Sequence, residues 1–130
     1  MSDFVTRVLP DTHDVLAPDG SEVRILASSP RGSMAHFRLP PGKASKPVAH
    51  RSVGELWYVV SGHGQIWRKN EAHETVTELA AGISLSIPVG THFQFRNTGN
   101  ANLDIVGVTM PPWPGEDEAY VVPGIWKPID

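Results

Sequence analysis

The stretch GKASKPVAHRSVGELWYVVSG, from Gly42 to Gly62, holds a single imidazole, His50, and a single carboxylate, Glu55. Groups of these two types ligate transition metals, and they also move protons near neutral pH. The stretch reads as a metal-binding signature short of one histidine, with Val48 where that histidine would stand. Within ELWYVV, residues Glu55, Trp57 and Val59 alternate along one strand face, which puts the Trp57 indole on the side of the Glu55 carboxylate.

Holding such groups in place takes a rigid frame, and the rest of the chain reads as short strands. Its 130 residues suit one domain, and 40% of them are hydrophobic, enough to fill one core. The 12 Gly and 12 Pro punctuate the chain often, which favours strands joined by turns. Strands are expected in FVTRVL (Phe4 to Leu9), EVRILA, MAHFRL, ELWYVV, QIWRK, TVTEL, ISLSIP, HFQFRN and LDIVGVTM. SGHG reads as the tight turn of a hairpin joining ELWYVV to QIWRK. Strands this short and this evenly spaced mean a β-sandwich or small barrel. The tail PPWPGEDEAYVVPGIWKPID differs. Its prolines exclude regular inner strands, yet Trp113, Tyr120 and Trp126 are too apolar for disorder. It is expected to wrap over the body or a partner subunit, with a lid over a pocket as the sharper form. The acidic run GEDE within it is expected to be solvated.

Several function classes are excluded early. The net charge of -3 makes no electrostatic case for nucleic acid. No apolar run approaches the length that crosses a bilayer, and MSDFVTRVLPDTHD lacks the apolar centre of a signal peptide. The absence of cysteine rules out a disulfide framework and thiol chemistry. A cytoplasmic protein that engages neither membrane nor nucleic acid is the expectation.

Two gapped motifs then resemble those of the cupins. The first runs glycine, five residues, His-x-His, three or four residues, Glu, six residues, Gly. Gly42, His50, Glu55 and Gly62 fall in register with it, and Val48 replaces the first histidine. The second runs glycine, five residues, Pro-x-Gly, two residues, His, three residues, Asn. Gly82, Pro88, Gly90 and Asn97 fall in register, and Phe93 replaces the histidine. The chain is therefore similar to a small single-domain cupin from about Met34 to Met110. The resemblance implies an all-β fold, a double-stranded β-helix or jelly-roll barrel. It divides residues 1–130 into a core of about 34–110, N-terminal strands in 4–27 and a wrapping proline-rich tail in 111–130.

In metal-binding cupins the residues matching Val48, His50, Glu55 and Phe93 would converge on one ion. With two of the four apolar, the resemblance favours no cofactor. It implies instead a hydrogen-bonded dyad in which the carboxylate orients His50 and favours its protonated form, with tips roughly 3 Å apart. Trp57 would share the barrel pocket, and Phe93 and Phe95 would line it from the opposite side. Val48, His36, Arg38 and Gln65 are further substrate-binding candidates. The function implied is non-oxidative acid–base chemistry of the dehydratase, epimerase, isomerase or cyclase type, a metal-independent lyase or isomerase with His50 as base. The substrate would be a small aromatic or sugar-containing molecule. One alternative is a dioxygenase or lyase holding a divalent transition metal through His50, Glu55 and a third ligand, His92 or His36. Another is a non-catalytic module for a small ligand. A homodimer is expected as well.

Overall fold

The computed structural model describes residues 4–128; the outermost residues of the expected 1–130 domain, 1–3 and 129–130, lie outside the described residues. Among the described residues eleven strands follow one another: β1 (Val15–Leu16), β2 (Glu22–Ser29), β3 (Gly32–Leu39), β4 (Val48–His50), β5 (Gly54–Ser61), β6 (His63–Lys69), β7 (Glu74–Ala80), β8 (Ser84–Ile87), β9 (His92–Asn97), β10 (Leu103–Met110) and β11 (Ala119–Val121). They form a six-stranded sheet in the order β1-β2-β3-β10-β5-β8 and a five-stranded sheet in the order β11-β4-β9-β6-β7. Every pairing between these strands is antiparallel. The expected all-β jelly roll is what the chain forms.

Alternation builds the core. Trp57 and Val59 of β5, Ile66 of β6, Phe93 and Phe95 of β9, and Ile105 of β10 meet between the sheets. The intervening Leu56, Tyr58 and Val60 stay half exposed on the outside. Gly107 lies opposite Trp57 in the ladder, and a Cβ there would stand 2.6 Å from Phe37 and 3.1 Å from the Trp57 ring. The absent side chain makes room for the indole.

The motif glycines are turn residues. Gly42, Gly62, Gly82 and Gly90 have φ of 77°, 94°, 92° and 80°. At Gly42, Gly82 and Gly90 a Cβ would meet nothing within 4 Å, so the constraint there is the left-handed backbone and not space. Asn97 closes the second motif structurally. Its amide donates to the Leu39 and Ala101 carbonyls at 2.8 Å each and accepts from the Gly99 amide at 2.8 Å.

Two sequence expectations fail. β5 and β6 do not form a hairpin. β5 pairs with β10 and β8, whereas β6 pairs with β7 and β9. The chain changes sheets at Gly62, where a Cβ would lie 2.4 Å from the Asn102 carbonyl oxygen. The true neighbouring hairpin is β6–β7, turned by Asn70, whose side-chain oxygen accepts from the Ala72 and His73 amides. FVTRVL is no strand either: residues 4–9 are exposed and pair with no strand among the described residues, and the N-terminal strands begin at Val15.

The tail folds onto its own body. β11 adds an edge to the five-stranded sheet by pairing with β4, the strand of His50. Further on, the buried Gln94 amide donates to the Ser45 and Trp126 carbonyls and accepts from the Ile125 and Trp126 amides. The Arg96 guanidinium lies 4.4 Å over the Trp126 ring. No helix is long and apolar enough to cross a membrane among the described residues.

Candidate functional site

Three elements bring His50 and Glu55 together. β4 ends at His50, the loop 51–53 turns back, and β5 begins at Gly54. Both side chains are buried, and His50 Nδ1 faces Glu55 Oε1 at 3.7 Å. That distance is beyond a hydrogen bond, and Nδ1 has no other partner. The Trp57 indole instead donates to Glu55 Oε2 at 2.5 Å, as strand parity predicts. His50 rests edge-on against Phe93, with centroids 5.3 Å apart, and against Trp113 at 5.1 Å. Trp57 meets Phe93 and Phe95 at 5.9 and 5.1 Å.

The electrostatics reverse the expected dyad. Burial pushes the His50 imidazole down to about 4, against a smaller upward pull from Glu118. Burial pushes the Glu55 carboxyl up to about 7, with the Trp57 hydrogen bond opposing and Asp19 assisting. Desolvation dominates both shifts because the walls around both groups are apolar. Near neutral pH His50 is therefore a neutral imidazole with a free ring nitrogen, and Glu55 is a carboxyl that still carries much of its proton. The pair is poised with one proton on the acid, not on the base.

The other predicted residues divide by strand parity. Val48, Trp57, Phe93 and Phe95 face the interior with His50 and Glu55 and are 1–3% exposed. His36 and Arg38 do not. Phe37 takes the inward position on β3, so its neighbours lie on the outer face. There Asp104 accepts from Arg38 Nε at 2.7 Å and faces His36 Nε2 at 3.3 Å. Gln65 is also outward. It donates to Glu78 at 2.6 Å and accepts from Arg96. His92 alternates away from Phe93 and lines an outer cleft of about 770 Å³ with Lys69, Asn70 and Pro123. These four leave the list of pocket residues, and neither His36 nor His92 can complete a shell with His50 and Glu55. The residues present do not fit a metal centre: two donors converge, Val48 and Phe93 occupy the remaining positions, and among the described residues no three His, Asp or Glu side chains group as a metal shell.

Sequence reading missed three groups. Arg68 lies beside Phe93 in the β6–β9 ladder and two residues beyond the inward Ile66, so it faces the interior. Its guanidinium reaches only the Ser86 carbonyl at 2.9 Å and the Thr77 hydroxyl at 3.1 Å, its Nε is buried without a partner, and burial lowers its pKa. Parity along QIWRK would have found it. Trp113 covers His50 from the tail, where its amide donates to the Ser33 hydroxyl at 2.9 Å, and Ser33 in turn bonds Thr109. Glu118 departs from the solvated acidic run expected of GEDE. It is buried and accepts from the Ser52 amide at 2.7 Å, the Ser52 hydroxyl at 2.6 Å and the Val53 amide at 2.8 Å. Burial works to raise its pKa, but these hydrogen bonds, with His50 nearby, hold it below the ordinary value. Glu116 and Asp117 are exposed as expected. Nothing in the sequence separates Glu118 from them.

Comparison with known proteins agrees with this architecture. The chain is 27% identical over 120 residues to an uncharacterised protein of Methanocaldococcus jannaschii, covering 85% of this chain and 93% of that one. It is 30% identical over 88 residues to the alginate biosynthesis protein AlgA of Pseudomonas putida, covering 68% of this chain but 17% of that much longer protein. Oxalate decarboxylase of Bacillus subtilis superposes with a TM-score of 0.69 at 18% identity, covering 82% of this chain and 29% of that one. The profile of the Cupin domain matches residues 35–109, more than half of the chain, and this protein is a member of the cupin family.

Proposed function

We propose that this cupin is an enzyme of non-oxidative acid–base chemistry, a lyase or isomerase acting on a small anionic carbonyl compound. The observation that carries the reading is the facing of two buried titratable groups whose proton affinities are pushed apart, His50 down and Glu55 up, at 3.7 Å without a bond between them. Opposed environments of this kind assign a base and an acid. Neutral His50 takes a proton from the carbon next to a carbonyl. The Glu55 carboxyl delivers its proton to a hydroxyl departing from the same face in a dehydration, or to a neighbouring atom on that face in an isomerisation. Transfer of the proton from His50 to Glu55 across the short gap then restores both groups. Arg68, inward and without a carboxylate partner within 4 Å among the described residues, is suited to hold a substrate carboxylate or phosphate. Trp57, Phe93 and Phe95 would flank a flat substrate. The fold likeness to a decarboxylase and the sequence likeness to a protein of alginate biosynthesis are compatible with small-molecule chemistry.

The test is deuterium exchange from heavy water into a panel of 2-hydroxy and 3-hydroxy carbonyl acids and sugar phosphates, followed by proton NMR. Exchange by the native protein is expected in at least one of them. His50→Gln is expected to slow it at least 100-fold, and Arg68→Met to raise KM at least tenfold with little change in kcat. One observation favours a second reading, a non-catalytic binding module: Trp113 covers His50, and two surface clefts, one lined by Lys69, His92 and Pro123 and one by Leu16, Leu39 and Lys46, lie away from it. Under that reading no compound exchanges, and His50→Gln leaves ligand affinity within about tenfold.

A further inference from the structure

Buried polar side-chain atoms nearly always find a partner. Among the described residues four do not: His36 Nδ1, His50 Nδ1, Arg68 Nε and Thr91 Oγ1. His36 lies on an outer face, beside Asp104. The other three lie about one ring, that of Phe93. His50 rests against it, Arg68 sits opposite it in the β6–β9 ladder, and Thr91 precedes it by two residues. His50 and Arg68 have roles in the chemistry above, and Thr91 has none.

The backbone sets Thr91 beside His50. β4 and β9 run antiparallel with Val48 opposite Phe93, so two steps on along β4 and two steps back from Phe93 bring His50 and Thr91 to the same level. The Gly90 amide holds the turn there by donating to the His50 carbonyl at 3.1 Å, and the Thr91 amide closes it on the Pro88 carbonyl at 3.1 Å. Thr91 shares the parity of the inward Phe93 and Phe95 and is 3% exposed, whereas His92 between them is partly exposed. A dry hydroxyl without a partner costs the fold stability. Other donors around the site are already engaged. The Trp57 indole bonds Glu55, the Ser52 hydroxyl bonds Glu118, and the terminal nitrogens of Arg68 bond the Ser86 carbonyl and the Thr77 hydroxyl. The Thr91 hydroxyl is free to donate to a substrate.

We propose that Thr91 is a further catalytic residue, the donor to the enolate oxygen that forms when His50 takes a proton from the carbon next to a carbonyl. This rests on the acid–base reading of His50 and Glu55. As the C–H bond breaks, the proton goes to His50, the electron pair becomes the C=C bond of the enolate, and the carbonyl pair moves onto oxygen. The Thr91 hydroxyl, beside the base, donates to that oxygen. Charge on the oxygen is greater in the enolate than in the carbonyl, so the hydrogen bond strengthens as the proton leaves and lowers the barrier. In a dehydration the carbonyl then re-forms, the displaced pair makes a double bond to the next carbon, and the hydroxyl there leaves with the Glu55 proton as water. Arg68 Nε is left for the anionic group of the substrate. A hydroxyl whose partner arrives only with the substrate explains an unpaired one in a dry wall, since stability yields to function at such places.

Two measurements on Thr91→Val, which keeps the shape and removes the hydroxyl, test this. The first is thermal unfolding of the full chain. The variant is expected to melt at or above the native temperature, because a methyl group replaces an unpaired hydroxyl. A fall of more than about 4 °C would mean that the hydroxyl bonds within the fold, and overturns the proposal. The second is deuterium exchange from heavy water into whichever compound of the panel the native chain labels. Thr91→Val is expected to lower kcat about 100-fold with KM within about threefold of native. Thr91→Ser, which restores a hydroxyl, is expected to bring kcat back to within about tenfold of native. A native kcat in Thr91→Val, whether or not KM rises, removes Thr91 from the chemistry and leaves His50 and Glu55 in their roles. No labelling of any compound by the native chain overturns the acid–base reading itself, and the enolate donor with it.

Discussion

His50 and Glu55 contribute to stability with opposite dependence on pH. The Glu55 carboxyl rises from 4.5 to about 7 on folding, so its contribution is full below pH 4.5 and is lost as pH rises through 7. The His50 imidazole falls from 6.5 to about 4, so its contribution is full above pH 6.5 and is lost as pH falls through 4. Glu55→Gln keeps an oxygen for the Trp57 indole but cannot ionise. It is expected to gain about 3 kcal/mol over the native chain at pH 8 and nothing below pH 4.5, measured by urea unfolding. Equal stabilities at pH 8 would show that ionised Glu55 meets no penalty, and the acid role would fall with it. Gly107→Ala is expected to displace the Trp57 ring, weaken its bond to Glu55 and cost about 2 kcal/mol, read from thermal melts and indole fluorescence. The identities and spacing of His50, Glu55 and Trp57 were legible in the sequence, because strand parity is local. Their protonation states were not, because those depend on how dry the surrounding walls are.

At the scale of elements, the tail packs on His50. Pro111–Gly115 links β10 to the short helical turn Glu116–Glu118, and it carries Trp113 against His50. Trp113→Ala is expected to speed modification of His50 by diethylpyrocarbonate at least tenfold, mapped by mass spectrometry, with exposed His73 as the unchanged reference. Equal rates would mean that access runs elsewhere. Glu118→Ala strips the loop after His50 of three hydrogen bonds and is expected to cost about 2 kcal/mol and to lower any turnover together with it. The sequence marked this segment as apolar, proline-rich and wrapping. It did not say that the tail would join the His50 strand as β11, since three residues of Ala-Tyr-Val carry no partner preference of their own.

For the whole molecule, the tail finishes the outer face of the five-stranded sheet from within the chain. Gln94→Leu removes three hydrogen bonds that hold residues 125–126, and a fourth to the Ser45 carbonyl, and is expected to cost about 3 kcal/mol and to expose the end of the tail to proteolysis, while the barrel keeps its circular dichroism. What the sequence determined by itself was whatever a residue imposes on its own backbone and its immediate neighbours. Gly42, Gly62, Gly82 and Gly90 had to turn the chain, the alternating runs from β2 to β10 had to be strands, and Glu55 and Trp57 had to share a face. Tertiary structure alone decided which strands paired, that Gly62 changes sheets, that His36, Arg38, Gln65 and His92 lie outside while Arg68 lies inside, and that the proton affinities of His50 and Glu55 are pushed apart. Pairing and desolvation are set by groups distant along the chain, so they exist only once the sheets have closed around them.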